Sequence, residues 1–112
     1  IATVTAVPMT IPRRFLDVVA QERIQNHELE QRIFEQHTGD SVEKRVRGLA
    51  TPALIVWGAQ DRVLHPGSAG VLQMLLTRSE VVLMQDVGHI PMLEQPERSA
   101  LDYLQFRSRP HP

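Results

Sequence analysis

The 112-residue sequence contains no cysteine, which excludes disulfides, thiolate metal sites and a cysteine nucleophile. No apolar stretch approaches the roughly 20 residues that a membrane helix needs, and no basic region followed by an apolar block marks a signal peptide. An excess of one charge is also lacking. Twelve basic against thirteen acidic residues leave a net charge of −1, with no long segment strongly of one sign, so nucleic acid is not an expected partner. The sequence starts at Ile1 without an initiator methionine, from which we expect the natural protein to begin further upstream, by processing or truncation. What is present is ordinary globular material. With 42% hydrophobic residues the chain can build a core, and its length suits one domain or part of one.

The first half reads as helical. Residues 1–11 form an extended entry segment broken by Pro8 and Pro12, with no functional role to assign. From Pro12, suited to a first helical turn, Phe15, Val18 and Val19 recur at helical spacing, and the outer face carries Arg13, Arg14 and Asp17. A second helix is expected from Asn26 as N-cap to His37, with Leu29, Ile33 and Phe34 on one face and Gly39 as its stop. A third follows, opened by Asp40 and Glu43, carrying Val42 and Val46, and ended by Gly48. The character changes near residue 48, where Thr51-Pro52 disfavours helix. Residues 53–57 are an unbroken apolar run, as in a strand buried on both faces of a parallel sheet. After a loop of Arg62, Val63, Leu64 and His65, a helix from Pro66 should bury Val71, Leu72, Leu75 and Leu76. A second apolar strand spans residues 80–84, Pro91 and Pro96 punctuate the next loop, and a last helix opening at Pro96 should turn Leu101, Leu104 and Tyr103 inward.

The order strand, helix, strand, helix implies two parallel neighbouring strands. Such a pair, buried on both faces, is marginal in water unless more strands flank it. The sheet is therefore expected to be incomplete in this chain, with a longer polypeptide or a partner chain supplying the rest. Ligands in open α/β sheets sit beyond the carboxyl ends of the strands. Asp61 and His89 occupy equivalent places there, each a few residues past one strand. A carboxylate and an imidazole brought together suit general-base catalysis, the carboxylate fixing the tautomer and stabilising the imidazolium.

The stretches T-P-A-L-I-V-W-G-A-Q-D-R-V at residues 51–63 and G-H-I-P-M-L-E-Q-P-E at residues 88–97 resemble the α/β-hydrolase family. The resemblance covers residues 49–107 well, and V-L-H-P-G-S-A at residues 63–69 draws it toward bacterial lipases and esterases and monoacylglycerol-lipase-like hydrolases. It implies that residues 1–48 are the helical lid or cap segment, and that residues 49–112 are the C-terminal part of the hydrolase core. It further implies that Asp61 and His89 are the acid and histidine of a catalytic triad acting on a small-molecule carboxylic ester, with no cofactor or metal. Val63 and Ile90, beside them, are expected to line the acyl or leaving-group pocket, and Phe15, Ile33 and Phe34 the underside of the lid.

The sequence departs from the family pattern in one respect. The nucleophile should precede the acid on a G-x-S-x-G elbow, and no such elbow occurs; Ser68 comes nearest, but Pro66 stands where a glycine is needed. The oxyanion-hole donors, which flank the nucleophile and an earlier loop, are missing with it. The chain is thus expected to be inactive alone, its nucleophile lying in a missing N-terminal part or a second chain. Asp86, close to His89 in the same loop, reads as a turn former, and His65 as a loop residue. His27-Glu28 is not a zinc motif, because Gln31 stands where H-E-x-x-H needs histidine. Two alternatives keep the motifs: another chemistry on the same fold, such as dehalogenase, epoxide or carbon–carbon hydrolysis, and a non-catalytic half or binding module.

Overall fold

A computed structural model of the chain describes residues 4–38 and 42–110. It divides into two compact units, one of Thr10–Arg45 and one of Val46–Pro112 together with the segment up to Met9.

The first unit is helical. Helix α1 is Arg13–Gln25, and Pro12 caps it from outside with φ −56° and ψ 136° rather than entering its first turn. The Pro12 carbonyl accepts the N–H groups of Phe15 and Leu16 at 2.9 and 3.3 Å, which otherwise lack a helical partner. Asn26 serves both neighbours. Its N–H donates to the Glu22 carbonyl at the end of α1, and its carbonyl accepts the Glu30 N–H at the start of α2, His27–Thr38. Helix α3 is Val42–Val46, and Gly48 follows at φ 77°, a left-handed stop that favours glycine. The expected stop at Gly39 and cap at Asp40 lie outside the described residues. No residue of α1 is buried, and Phe15, Val18, Ile33 and Phe34 are exposed. No helix among the described residues is long and apolar enough to cross a membrane.

The second unit holds two parallel strands with flanking helices. Strand β1 is Ala53–Gly58 and β2 is Ser79–Met84, paired in register from Ala53 opposite Ser79 to Gly58 opposite Met84. Helix α4, Ser68–Leu75, makes the crossover and packs on both strands. The short α5, Pro91–Glu94, replaces the expected loop, and α6, Pro96–Ser108, packs on β1. The sheet is incomplete: its two strands each keep one edge unpaired among the described residues.

Core packing reflects that incompleteness. The two runs read as strands covered on both faces, yet only Ile55 and Gly58 of β1 and Met84 of β2 are buried. Beside β1, a cavity of about 580 Å³ is lined by Leu54, Val56 and Trp57 with Leu72, Met92, Tyr103 and Phe106. Trp57 Nε1 and Ser99 Oγ, which border it, are buried without hydrogen-bond partners among the described residues, unusual for a closed core. On α4 the buried stripe is Ala69 and Leu75, with Val71 exposed; on α6 the least exposed positions are Ser99, Asp102 and Phe106, Tyr103 borders the cavity beside β1 while remaining half exposed, and Leu101 and Leu104 are exposed. Residue type alone points to the leucines of α6. Helical periodicity instead aligns positions 99, 102 and 106.

Candidate active site

Strand register delivers the two candidate residues to the same end of the sheet. Beyond β1 and β2 the backbones stay joined: the Ala59 N–H donates to the Met84 carbonyl at 2.8 Å and the Gln60 N–H to the Val87 carbonyl at 2.9 Å. This close approach requires glycine at two points. A Cβ on Gly58 would run into the carbonyl oxygens of Gly88 and Val87, and one on Gly88 would lie 2.7 Å from both Ala6 N and Val4 O. The side-chain-free positions let the two loops and residues 4–6 lie directly against one another.

Asp61 enters from the first loop after a turn in which its N–H donates to the Gly58 carbonyl at 3.2 Å. Its carboxylate is fully engaged. Oδ1 accepts the N–H groups of Val63 at 2.8 Å and Leu64 at 3.0 Å, and Oδ2 faces His89 Nδ1 at 2.9 Å. The Asp61 side chain is 3% exposed and that of His89 32%. Burial pushes the Asp61 carboxyl upward, but the hydrogen bond to His89, the two backbone N–H groups and the attraction of the imidazolium form together hold it below the ordinary carboxylate range. Asp61 is therefore ionised at neutral pH and accepts the Nδ1–H of His89, which leaves Nε2 as the basic ring nitrogen.

The imidazole borders a cavity of about 210 Å³ lined by Val56, Trp57, Gly58, Asp61, Leu64, His89, Ile90, Pro91 and Met92. The structure places Ile90 in that lining and brings Asp61 and His89 together. Val63 is not in the lining; its N–H serves Asp61 and its side chain is exposed, while Leu64 faces the cavity. Asp86 Oδ1 accepts from Gln60 Nε2 at 3.5 Å, and the imidazole's carboxylate partner is Asp61. The exposed His65 closes a tight turn, its Nδ1 accepting the Gly67 N–H at 3.0 Å, and Ser68 begins α4.

The segment before Met9, to which the sequence assigns no role, and Glu94 also reach the site. The His89 N–H donates to the Val4 carbonyl at 2.6 Å, Arg62 reaches the Thr5 carbonyl at 3.4 Å, and Glu94 accepts the Ala6 N–H at 2.6 Å. Residues 4–6 thus touch both candidate loops through backbone atoms. Backbone donors and acceptors have no side-chain signature, so only the Gly88-to-Glu94 spacing offered a signal.

A family model described as alpha/beta hydrolase fold matches residues 13–96. Lipase 1 of Psychrobacter immobilis is 38% identical over 104 residues, covering 90% of this chain and 33% of that lipase. Monoacylglycerol lipase abhd6-B of Xenopus laevis is 30% identical over 94 residues, covering 80% of this chain and 28% of that enzyme. Among solved structures, a membrane phospholipase A described as a bacterial virulence factor superposes with a TM-score of 0.80 at 31% identity, over 94% of this chain and 34% of that one. The chain spans about a third of the length of the curated relatives it matches. These relatives are of the kind toward which the motifs at residues 51–69 and 88–97 pointed.

Proposed function

The chain belongs to the alpha/beta hydrolase fold family, and on that premise we propose that it supplies the acid and the histidine of a serine-hydrolase triad acting on carboxylic esters of lipid or acyl type. The observation that carries this reading is the 2.9 Å contact between the buried Asp61 carboxylate and His89 Nδ1. The names of the relatives, lipases and monoacylglycerol lipases, favour esters over the other chemistries of the fold.

In this reading a serine from outside the 112 residues attacks the ester carbonyl while His89 Nε2 takes its hydroxyl proton. Asp61 holds the ring and stabilises the imidazolium. The same Nε2–H is then given to the leaving alkoxide, which departs as the alcohol and leaves an acyl-enzyme. Water repeats the sequence: His89 takes its proton as the oxygen attacks, then returns a proton to the serine oxygen as the carboxylic acid leaves. Ile90 lines the acyl or leaving-group side of the site. Residues 1–48 act as lid, apart from the segment to Met9 that packs with the core, and residues 49–112 form part of that core. The nucleophile and the remaining strands come from the same polypeptide or from a second chain, without which the 112 residues do not turn over ester.

The test joins this chain to its nucleophile-bearing part and follows hydrolysis of p-nitrophenyl acyl esters. His89→Ala should lower kcat at least about 10⁴-fold. Full turnover by that variant would sink the assignment.

A further inference from the structure

Three successive backbone donors around the candidate base are each held, and two of them by a single side chain. The Gly88 N–H donates to both carboxylate oxygens of Glu94, at 3.0 Å to Oε1 and 3.1 Å to Oε2. The Ile90 N–H points to Oε1 at 3.4 Å, and the His89 N–H between them is taken by the Val4 carbonyl. Glu94 Oε2 also accepts the Ala6 N–H at 2.6 Å, so one carboxylate ties residues 4–6 to residues 88–90. Helix α5 is a single turn, opened by the buried Pro91, and it folds Glu94 back over the loop that precedes it. A carboxylate gathering several N–H groups is strong and short, because the acceptor is charged and each oxygen has more than one lone pair.

We propose that Glu94 is a positioning residue for His89: by clamping the backbone on both sides of the imidazole it sets the direction from which Nδ1 meets Asp61. This deepens the proposed function and rests on it for its kinetic readout, while a second, spectroscopic readout does not. Two observations set Glu94 apart from a mere helix-start carboxylate. Its donors lie in the loop before α5 and in residues 4–6. The ring that this loop carries, 32% exposed on its side chain, is held along one edge by Asp61, so its aim depends on the backbone beneath it.

Glu94→Gln keeps the shape and removes half of the acceptor capacity, setting an NH₂ group against N–H groups that have no other partner in the clamp. Misplacing a catalytic group by about 1 Å costs on the order of 100-fold. We therefore expect kcat of the assembled hydrolase to fall about tenfold or more at nearly unchanged KM. The low-field proton resonance of the His89 Nδ1–H should shift or broaden in parallel. A merely structural glutamate would lower the melting temperature without moving kcat per folded molecule or that resonance.

Wild-type kcat and an unchanged resonance in folded Glu94→Gln would overturn the proposal and leave the proposed function standing. Should His89→Ala instead retain turnover, the function reading falls, and the resonance alone judges the clamp. If Glu94→Gln does not fold, Glu94→Asp decides, since shortening the reach by one methylene must pull the loop. A folded Asp variant with wild-type kcat and resonance would refute it.

Discussion

The sharpest perturbation of the acid–base pair is Asp61→Asn, because the structure dictates how the amide must sit. Oδ1 holds two backbone N–H groups, from Val63 and Leu64. An asparagine that turned its NH₂ toward them would set donor against donor, leaving two part-buried N–H groups without their acceptor, at a cost toward the low end of the roughly 1–3 kcal/mol that a buried donor costs. The amide oxygen therefore stays with Val63 and Leu64, and the NH₂ faces His89 Nδ1. A neutral imidazole in that place must accept at Nδ1 and carry its proton on Nε2, the nitrogen that should be the base. The main cost falls on chemistry: such an exchange lowers turnover by about 10⁴-fold, or about 5.5 kcal/mol of barrier, with KM nearly unchanged. The assay is kcat on p-nitrophenyl esters in the assembled hydrolase, beside ¹⁵N spectra of the His89 ring to read its tautomer. Turnover within tenfold of wild type, or a ring that keeps its proton on Nδ1, would refute the reasoning that Asp61 sets the tautomer.

Two further perturbations address the scaffold and its pH response. Gly58→Ala should destabilise the chain by about 1–3 kcal/mol, read as a lower denaturant midpoint, because its Cβ meets the Gly88 and Val87 carbonyls; a wild-type midpoint would show that the loops are not in contact there. Because the folded Asp61 carboxyl lies below its ordinary range, its ionised form adds stability above the unfolded value of about 3.9. That contribution is lost as pH falls through the lower folded value. The midpoint difference between wild type and Asp61→Asn should therefore change between neutral pH and acid below about pH 4 in the direction that costs the wild type more. Parallel acid profiles for the two proteins would contradict it.

The apolar runs at residues 53–57 and 80–84, with turn signals and a helical interval between them, made the parallel pair legible. Asp61 and His89 then followed from where loops must lie relative to strand ends. Other features lack a one-dimensional trace. Residues 4–6 act through Val4 O, Thr5 O and Ala6 N, and any residue other than proline offers the same atoms. Val63 and Leu64 are neighbours of similar hydrophobicity, and only the turn after Asp61 decides that both give their N–H groups to its carboxylate while Leu64 alone of the two borders the cavity. On α6, Leu101 and Leu104 attract attention by type, but Phe106 fixes the inward face. Glu94 lies in the same motif as the histidine, and only the turn of α5 brings it back onto Gly88.

The separation of Asp61 from His89 is ultimately a matter of strand register. Trp57 pairs with Leu83 and Gly58 with Met84, and the next bonds, from Ala59 and Gln60, carry that alignment into the loops. A slip of one residue moves one strand by about 3.3 Å and turns its side chains to the other face. Added to a contact of 2.9 Å, a displacement of that size breaks the hydrogen bond outright. What resists the slip is the same small set of residues that forms the core: Ile55 on β1, Met84 on β2, Val87 just after it, and Ala69 and Leu75 on the crossover helix. The close approach at Gly58 resists it as well, since a residue with a side chain brought into that place would meet the Gly88 and Val87 carbonyls. The acid and the base are thus aligned by apolar packing beneath them, and a core substitution in α4 that loosens register should reach the site without touching either residue.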